Sequence, residues 1–148
     1  MKNKIPPPIV TLFFGLCIYF SKEYFQEFNL EFLTILSYIS YFTGLLILVL
    51  AVRLFKKQRT TVNPIKIENA TSLVTSGIFK YSRNPMYLGM AMILFGLALM
   101  FNLIGGIMFT LLFTMYITKF QIRPEEEVME RFFGADFLKY KQNVRMWL

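Results

Sequence analysis

The sequence predicts an all-α, polytopic membrane protein with about four transmembrane helices, two of them forming a helical hairpin, followed by a cytosolic amphipathic C-terminal helix. Three observations predict it. Of 148 residues, 55% are hydrophobic and only 17% are charged, against roughly a quarter charged in a soluble domain. The apolar residues are clumped into blocks of membrane length. The charged ones, 16 Lys plus Arg against 9 Asp plus Glu, fall between the blocks with a strong bias in sign. Residues 1–148 therefore read as a single membrane domain.

The first span is the uncharged run from Ile9 to Ser21, introduced by Pro6, Pro7 and Pro8. It extends to about Phe25 if Lys22 snorkels to the interface. A cleaved signal peptide is the competing reading, because Lys2 and Lys4 precede the apolar stretch. Lys22, Glu23 and Tyr24 stand where small residues would be needed for cleavage, which favours a retained span at 9–25. The second is clearer: Phe32 to Val52 holds 21 residues without a charge, which at 1.5 Å each covers a hydrocarbon layer of roughly 30 Å. We place this span at 32–55. Pro85 to Thr118 contains 34 uncharged residues, about 50 Å as one helix and too long for a bilayer. Asn102, Gly105 and Gly106 supply a turn near its middle, splitting it into arms at 85–101 and 103–119. Each arm is short, so little tilt or local thinning of the bilayer is expected.

The tail, 120–148, opens on Arg123-Pro124-Glu125-Glu126-Glu127. Proline in a first turn and acidic residues beside the orphan amides favour a helix start there. Val128, Phe132, Phe133, Phe137, Tyr140 and Val144 then form one apolar stripe, interrupted at Gly134. Such a helix is expected along the membrane surface or against the helix ends.

Charge placement sets the orientation. Between the first two spans Lys22 faces Glu23, Glu27 and Glu31, and the Asn102 turn has no charge. The other basic residues lie at the N-terminus, around the loop 56–84 and in the tail, so both termini are expected in the cytosol. Asn69-Ala70-Thr71 then becomes a chance match to a glycosylation acceptor. The cluster Arg53, Lys56, Lys57 and Arg59 has two readings, a topology anchor and a contact to anionic headgroups. Nucleic-acid binding is not expected, because topology accounts for the net charge of +7 and the aromatics lie mostly in the spans.

The chain has no histidine and one cysteine, Cys17. That excludes HExxH chemistry, a Ser-His-Asp triad, an internal disulfide and a thiolate zinc cage. No Gly-rich nucleotide loop follows a strand pattern either, which argues against a Rossmann-type nucleotide-binding domain.

The polar segments carry the remaining candidates. Leu73-Val74-Thr75-Ser76-Gly77-Ile78-Phe79-Lys80-Tyr81-Ser82-Arg83-Asn84-Pro85-Met86-Tyr87-Leu88-Gly89 leads into the third span. Asn84 suits an N-cap and Pro85 a first helical residue. Taken alone, the segment is explained by a helix start anchored at the interface by Arg83 and tyrosine. The three glutamates alone are likewise explained as helix N-terminal charges.

Together, in this order and separated by an apolar hairpin, the run L-V-T-S-G-I-F-K-Y-S-R-N-P-M-Y-L-G and the pattern E-E-x-x-M-x-x-x-F-G-x-x-F-x-x-Y-x-x-x-V resemble the isoprenylcysteine carboxyl methyltransferase and phospholipid methyltransferase superfamily. The likeness covers about Leu73 to Arg145. It implies methyl transfer from S-adenosylmethionine, bound on the cytosolic side, to a lipophilic or membrane-associated carboxylate, thiol or amine. Carried over residue by residue, it implies a cofactor site at Leu73, Tyr81, Arg83, Asn84, Pro85, Tyr87, Leu88, Glu125 and Glu126. Arg83 and Tyr87 would also serve the reaction, and no metal is implied. Asn84 stands where the prenylcysteine enzymes have histidine, and Phe137 where tyrosine is frequent, which puts prenylcysteine specificity in doubt. A sulfonium methyl arrives activated, so the implied chemistry suits a histidine-free protein. Two rivals remain. One is an NADPH-binding protein like the membrane sterol reductases, which share an R-x-P-x-Y element but are longer. The other is a small non-enzymatic protein that binds lipid or a partner. Oligomeric state is open, although Gly89, Gly96 and Ala98 would allow close helix contacts.

Overall fold

Five helices account for most of the chain in the computed structural model, which describes residues 5–25, 28, 30–57 and 73–148. Lys2, Lys4, Glu27, Arg59, Lys66 and the Asn69-Ala70-Thr71 triplet lie outside the described residues. Helix α1 spans Pro7–Ser21, α2 Glu31–Lys57, α3 Pro85–Phe101, α4 Leu103–Ile117 and α5 Arg123–Asn143. A short 3-10 turn, Gly77–Lys80, precedes α3. There is no strand among the described residues. Helix α1 stops at Ser21, short of Phe25.

Helix α3 is central, with α2 on one flank and α1 and α4 on another. Small residues set these distances. A Cβ on Gly89 would lie 2.7 Å from the Gly44 carbonyl oxygen, and one on Gly44 would lie 2.7 Å from that of Gly89. Gly96 faces Tyr41, and Gly106 of α4 lies against Ala98. The glycines that suggested close contacts are thus used within the chain. Ser40 Oγ adds a hydrogen bond to the Met92 carbonyl, 2.7 Å.

The hairpin turns at Asn102, as its sequence predicts. Its Oδ1 accepts from the Gly106 amide at 3.0 Å, and its Nδ2 donates to the Ile18 carbonyl at 2.9 Å and to Ser21 Oγ at 3.2 Å. One fully buried side chain therefore caps α4 and ties down the end of α1.

The other end departs from expectation. No break precedes Arg123: α4 runs through a π turn, Thr118–Ile122, straight into α5. Pro124 has no amide to give to a carbonyl four residues back, and the π turn lies across that position, so the chain widens by one residue instead of ending. The break comes at Gly134, whose φ of 48° is readily accepted only by glycine. Beyond it, Phe137 and Tyr140 turn inward onto Ala51, Val74 and Phe79. The aromatic stripe is thus divided: Phe137 and Tyr140 are buried, while Phe132 is exposed.

Helices α1, α2 and α4 present Leu12, Phe13, Phe20, Phe42, Leu45, Leu111 and Met115 outward. That apolar surface exceeds what a soluble monomer exposes. Glu31–Lys57 and the continuous stretch Leu103–Asn143 are long and apolar enough to cross a membrane, and Pro7–Ser21 and Pro85–Phe101 are shorter apolar helices.

Candidate functional site

The two motif segments meet where α3 begins and α5 begins. Pro85 starts α3, which aims Tyr87 into the interior two residues later; its ring is buried with Met90, Ile117 and Ile122. Across from it, the π turn swings Glu125 and Glu126 to face the α3 start. Tyr87 Oη donates to Glu125 Oε1 at 2.6 Å. Arg83 Nε and Nη2 both donate to Glu126 Oε1, at 2.9 and 2.8 Å. These contacts bridge 38 and 43 residues of sequence, so folding itself assembles the cluster.

The adjacent carboxylates sit in unlike surroundings. Glu126 is buried against two cations, Arg83 and Lys141, whose Nζ lies 3.6 Å from Oε2. Glu125 has no cation among the described residues, and Tyr87 is its one hydrogen-bond partner there. Burial is the main cause that pushes its carboxyl up to about 7; the bond from Tyr87 lowers it and the Glu126 charge raises it. Glu127 points outward, exposed.

Sequence reasoning missed a further component, the segment Val144–Trp147, which folds back over the start of α3. Arg83 Nη1 donates to the Val144 carbonyl and, at 3.2 Å, to that of Lys141. The Arg83 amide donates to the Arg145 carbonyl at 3.0 Å. Asn84 Nδ2 donates to the Met146 carbonyl at 3.1 Å, and Ser82 Oγ to the same oxygen at 3.4 Å. Trp147 Nε1 reaches Thr118 Oγ1 in the π turn, 3.2 Å. Asn84 precedes α3 as predicted but does not cap it with its side chain; the amide is engaged by this strap instead. No local pattern announces a strap held through main-chain oxygens, and the one tryptophan of the chain was its only signal.

The remaining expected positions divide. Pro85 is buried at the α3 start, and Leu88, half-buried, donates its amide to the Asn84 carbonyl at 3.0 Å. Leu73 packs instead against the second core, around Phe79 and Phe137. Tyr81 is 70% exposed and outside the cluster of side-chain contacts. No group of three or more His, Cys, Asp or Glu able to hold a metal ion occurs among the described residues.

Residues 32–136 match the phospholipid methyltransferase family. The chain belongs to that family. The matched residues include α2, the α3 start and the paired glutamates, and the strap lies beyond them. Among curated proteins, the chain is 36% identical over 75 residues to the protein-S-isoprenylcysteine O-methyltransferase of Schizosaccharomyces pombe, covering 49% of this chain and 30% of that one. It is also 36% identical over 63 residues, 43% of this chain, to the full length of an uncharacterized protein of Haemophilus influenzae. The chain thus spans under a third of the length of the yeast relative. No solved structure matches it.

Proposed function

We propose that this protein is an integral membrane methyltransferase that uses S-adenosylmethionine and acts on a lipophilic or membrane-associated acceptor. The observation that carries the reading is the meeting of the Arg83-Asn84-Pro85-Met86-Tyr87 segment with Glu125 and Glu126, inside a chain whose family transfers methyl groups to phospholipids. The proposed cofactor presents an ammonium, ribose hydroxyls and a sulfonium, all donors or positive charges. A carboxylate pair with one open partner, beside the buried Tyr87 ring, has the chemistry to receive them. When bound, the cofactor supplies a methyl group already activated for displacement.

The chain's own residues hold and orient. Arg83 fixes Glu126 and the strap together, so its part is to set the geometry of the site; Tyr87 aims Glu125. Leu73 and Tyr81 lie outside the cluster in this state, and Asn84, Pro85 and Leu88 frame its α3 side. The proposed site, where α3 begins, lies at the bundle end that carries Arg53, Lys56, Lys57 and Lys80. We assign four spans to this topology, with the site, the loop 56–84 and both chain ends on the cytosolic side. An acceptor would then enter from the bilayer.

Titrating the detergent-solubilised protein with S-adenosylmethionine, S-adenosylhomocysteine and NADPH tests the proposal. Binding of both sulfur ligands and not NADPH is expected; no sulfur-ligand binding at millimolar concentration, in a folded sample, overturns it. Replacing both Glu125 and Glu126 with alanine should weaken binding roughly ten-fold or more. Glu130→Ala should leave it unchanged, since Glu130 pairs at the rim with Lys141, 3.6 Å.

A further inference from the structure

Helix α2 ends in a basic cluster that the proposed reaction does not use. Arg53, Lys56 and Lys57 are all exposed, and none of them pairs with a carboxylate among the described residues. A helix C-terminus draws cations, which accounts for Lys56 and Lys57 in the last turn. It does not account for Arg53, a turn earlier, or for the face that the three share. Spaced i, i+3 and i+4, they lie on one side of the helix, where like charges repel one another.

That side continues the apolar exterior. At about 100° per residue, Arg53 falls within about 40° of Ile35, Phe42, Leu46 and Val49 around the axis, and those apolar side chains are exposed. The opposite side, with Ser37, Ser40, Gly44 and Ala51, is buried, and Leu54 and Phe55 pack into the second core with Phe79 and Phe137. The end of α2 is therefore held in place, with its cations directed away from the buried face. From Phe42 to Arg53 the exposed stripe rises roughly 16 Å, about half of a hydrocarbon layer of roughly 30 Å. It thus has the depth of one leaflet and a cationic end.

We propose that this face of α2 binds an anionic phospholipid, with Arg53, Lys56 and Lys57 holding the headgroup phosphate and the acyl chains lying along Phe42, Leu46 and Val49. The cluster complements the headgroup charge, and the stripe below it offers what a soluble anion cannot use. A second copy of the chain, packed two-fold through the same face, would set two such clusters against each other. The two readings of the cluster also separate here. A topology anchor needs basic charge anywhere at this end of the bundle, whereas a lipid site needs it in phase with the apolar stripe. The proposal rests on the membrane reading of the exterior and not on methyl transfer, so a chain that binds no sulfur ligand leaves it standing.

The test is native mass spectrometry of the detergent-solubilised protein with phosphatidylglycerol and with phosphatidylcholine of the same chains. Three basic residues at an anionic headgroup support a preference for phosphatidylglycerol of about 10–100-fold. Arg53→Gln, Lys56→Gln and Lys57→Gln combined should bring the two lipids within about two-fold of each other. Arg131→Gln, Lys139→Gln and Arg145→Gln combined remove the same charge from exposed positions of α5 and the strap, and should leave the preference intact. An equal fall in both variants makes the effect one of net charge and overturns the site, as does a wild type without preference. Glycerol 3-phosphate, which has the charge and no chains, should not displace the lipid; displacement gives the cluster to a soluble phosphate and overturns the proposal. Binding of a polyglutamate peptide without any lipid preference gives the face to an acidic protein partner and overturns it too. A second measurement needs no variant: phosphatidylglycerol with a diazirine on an acyl chain is photo-crosslinked to the wild type and the adduct is mapped. Labelling of α2 between Phe42 and Val49 is expected, and labels confined to α1 or α4, or spread evenly over the outward faces, overturn the assignment.

Discussion

Arg83 spends its whole guanidinium inside the protein: Nε and Nη2 on Glu126, Nη1 on the carbonyls of Lys141 and Val144. A lysine offers one compact ammonium and cannot span these three directions. Arg83→Lys should therefore leave the strap partly released and Glu126 underpaired, at a cost of about 3 kcal/mol or more. The check is limited trypsinolysis, with faster cleavage after Lys141 and Arg145 than in the wild type. Glu125 carries the second prediction. Its folded pKa of about 7 stands above the ordinary 4.5, so the folded state keeps the proton longer, and the stabilising contribution is full below about pH 4.5 and lost as pH rises through 7. Thermal midpoints of the wild type should fall across that window relative to those of Glu125→Gln, whose profile should be flatter.

At the scale of elements, the α2–α3 contact depends on two glycines. A Cβ on Gly89 would lie 2.7 Å from the Gly44 oxygen and 2.8 Å from Leu48 Cγ, so Gly89→Ala has to spread two helices. A loss on the order of 1–3 kcal/mol is expected, read as a lower denaturation midpoint in detergent. At the hairpin, Asn102→Leu removes the three hydrogen bonds of one buried amide, while the Gly106 amide keeps the main-chain carbonyl of residue 102 and Ser21 Oγ keeps the Ile18 carbonyl, so a loss of about 1–3 kcal/mol in the same measurement is expected. This end was readable in the sequence, because Asn102 acts on residues four positions away and a helix cap is local chemistry. The start of α3 at Pro85 was readable for the same reason. The passage from α4 into α5 was not: Pro124 with acidic neighbours has the marks of a helix start, and only the π turn before it lets the helix continue. Nor could the division of the aromatic stripe be foreseen, since Phe132 and Phe137 look alike until Gly134 turns the chain between them. In the site, the family resemblance, and not residue type alone, pointed to Arg83, Tyr87 and the glutamates. Which glutamate faces which partner is a long-range fact that spacing does not contain.

On the scale of the whole molecule, the proposed four-span topology is one that labelling can read. Cys17 is first replaced by serine. Single cysteines at Lys56 and Arg131 should then react with a membrane-impermeant maleimide only from the cytosolic side, and one at Tyr24 only from the opposite side. Reaction of Tyr24→Cys and Arg131→Cys from the same side refutes the four-span arrangement. The strap has a consequence of another kind. Arg83, Ser82 and Asn84 grip main-chain oxygens, which every amino acid carries. The Arg145 side chain itself is exposed, so this position is free to vary in chemical identity but not in number. Exchanging Arg145 for almost any residue should be silent, whereas deleting it would slide each oxygen past its donor. The stretch from Tyr140 to Trp147 works as a measured length of tape, and its ruler marks are carbonyls.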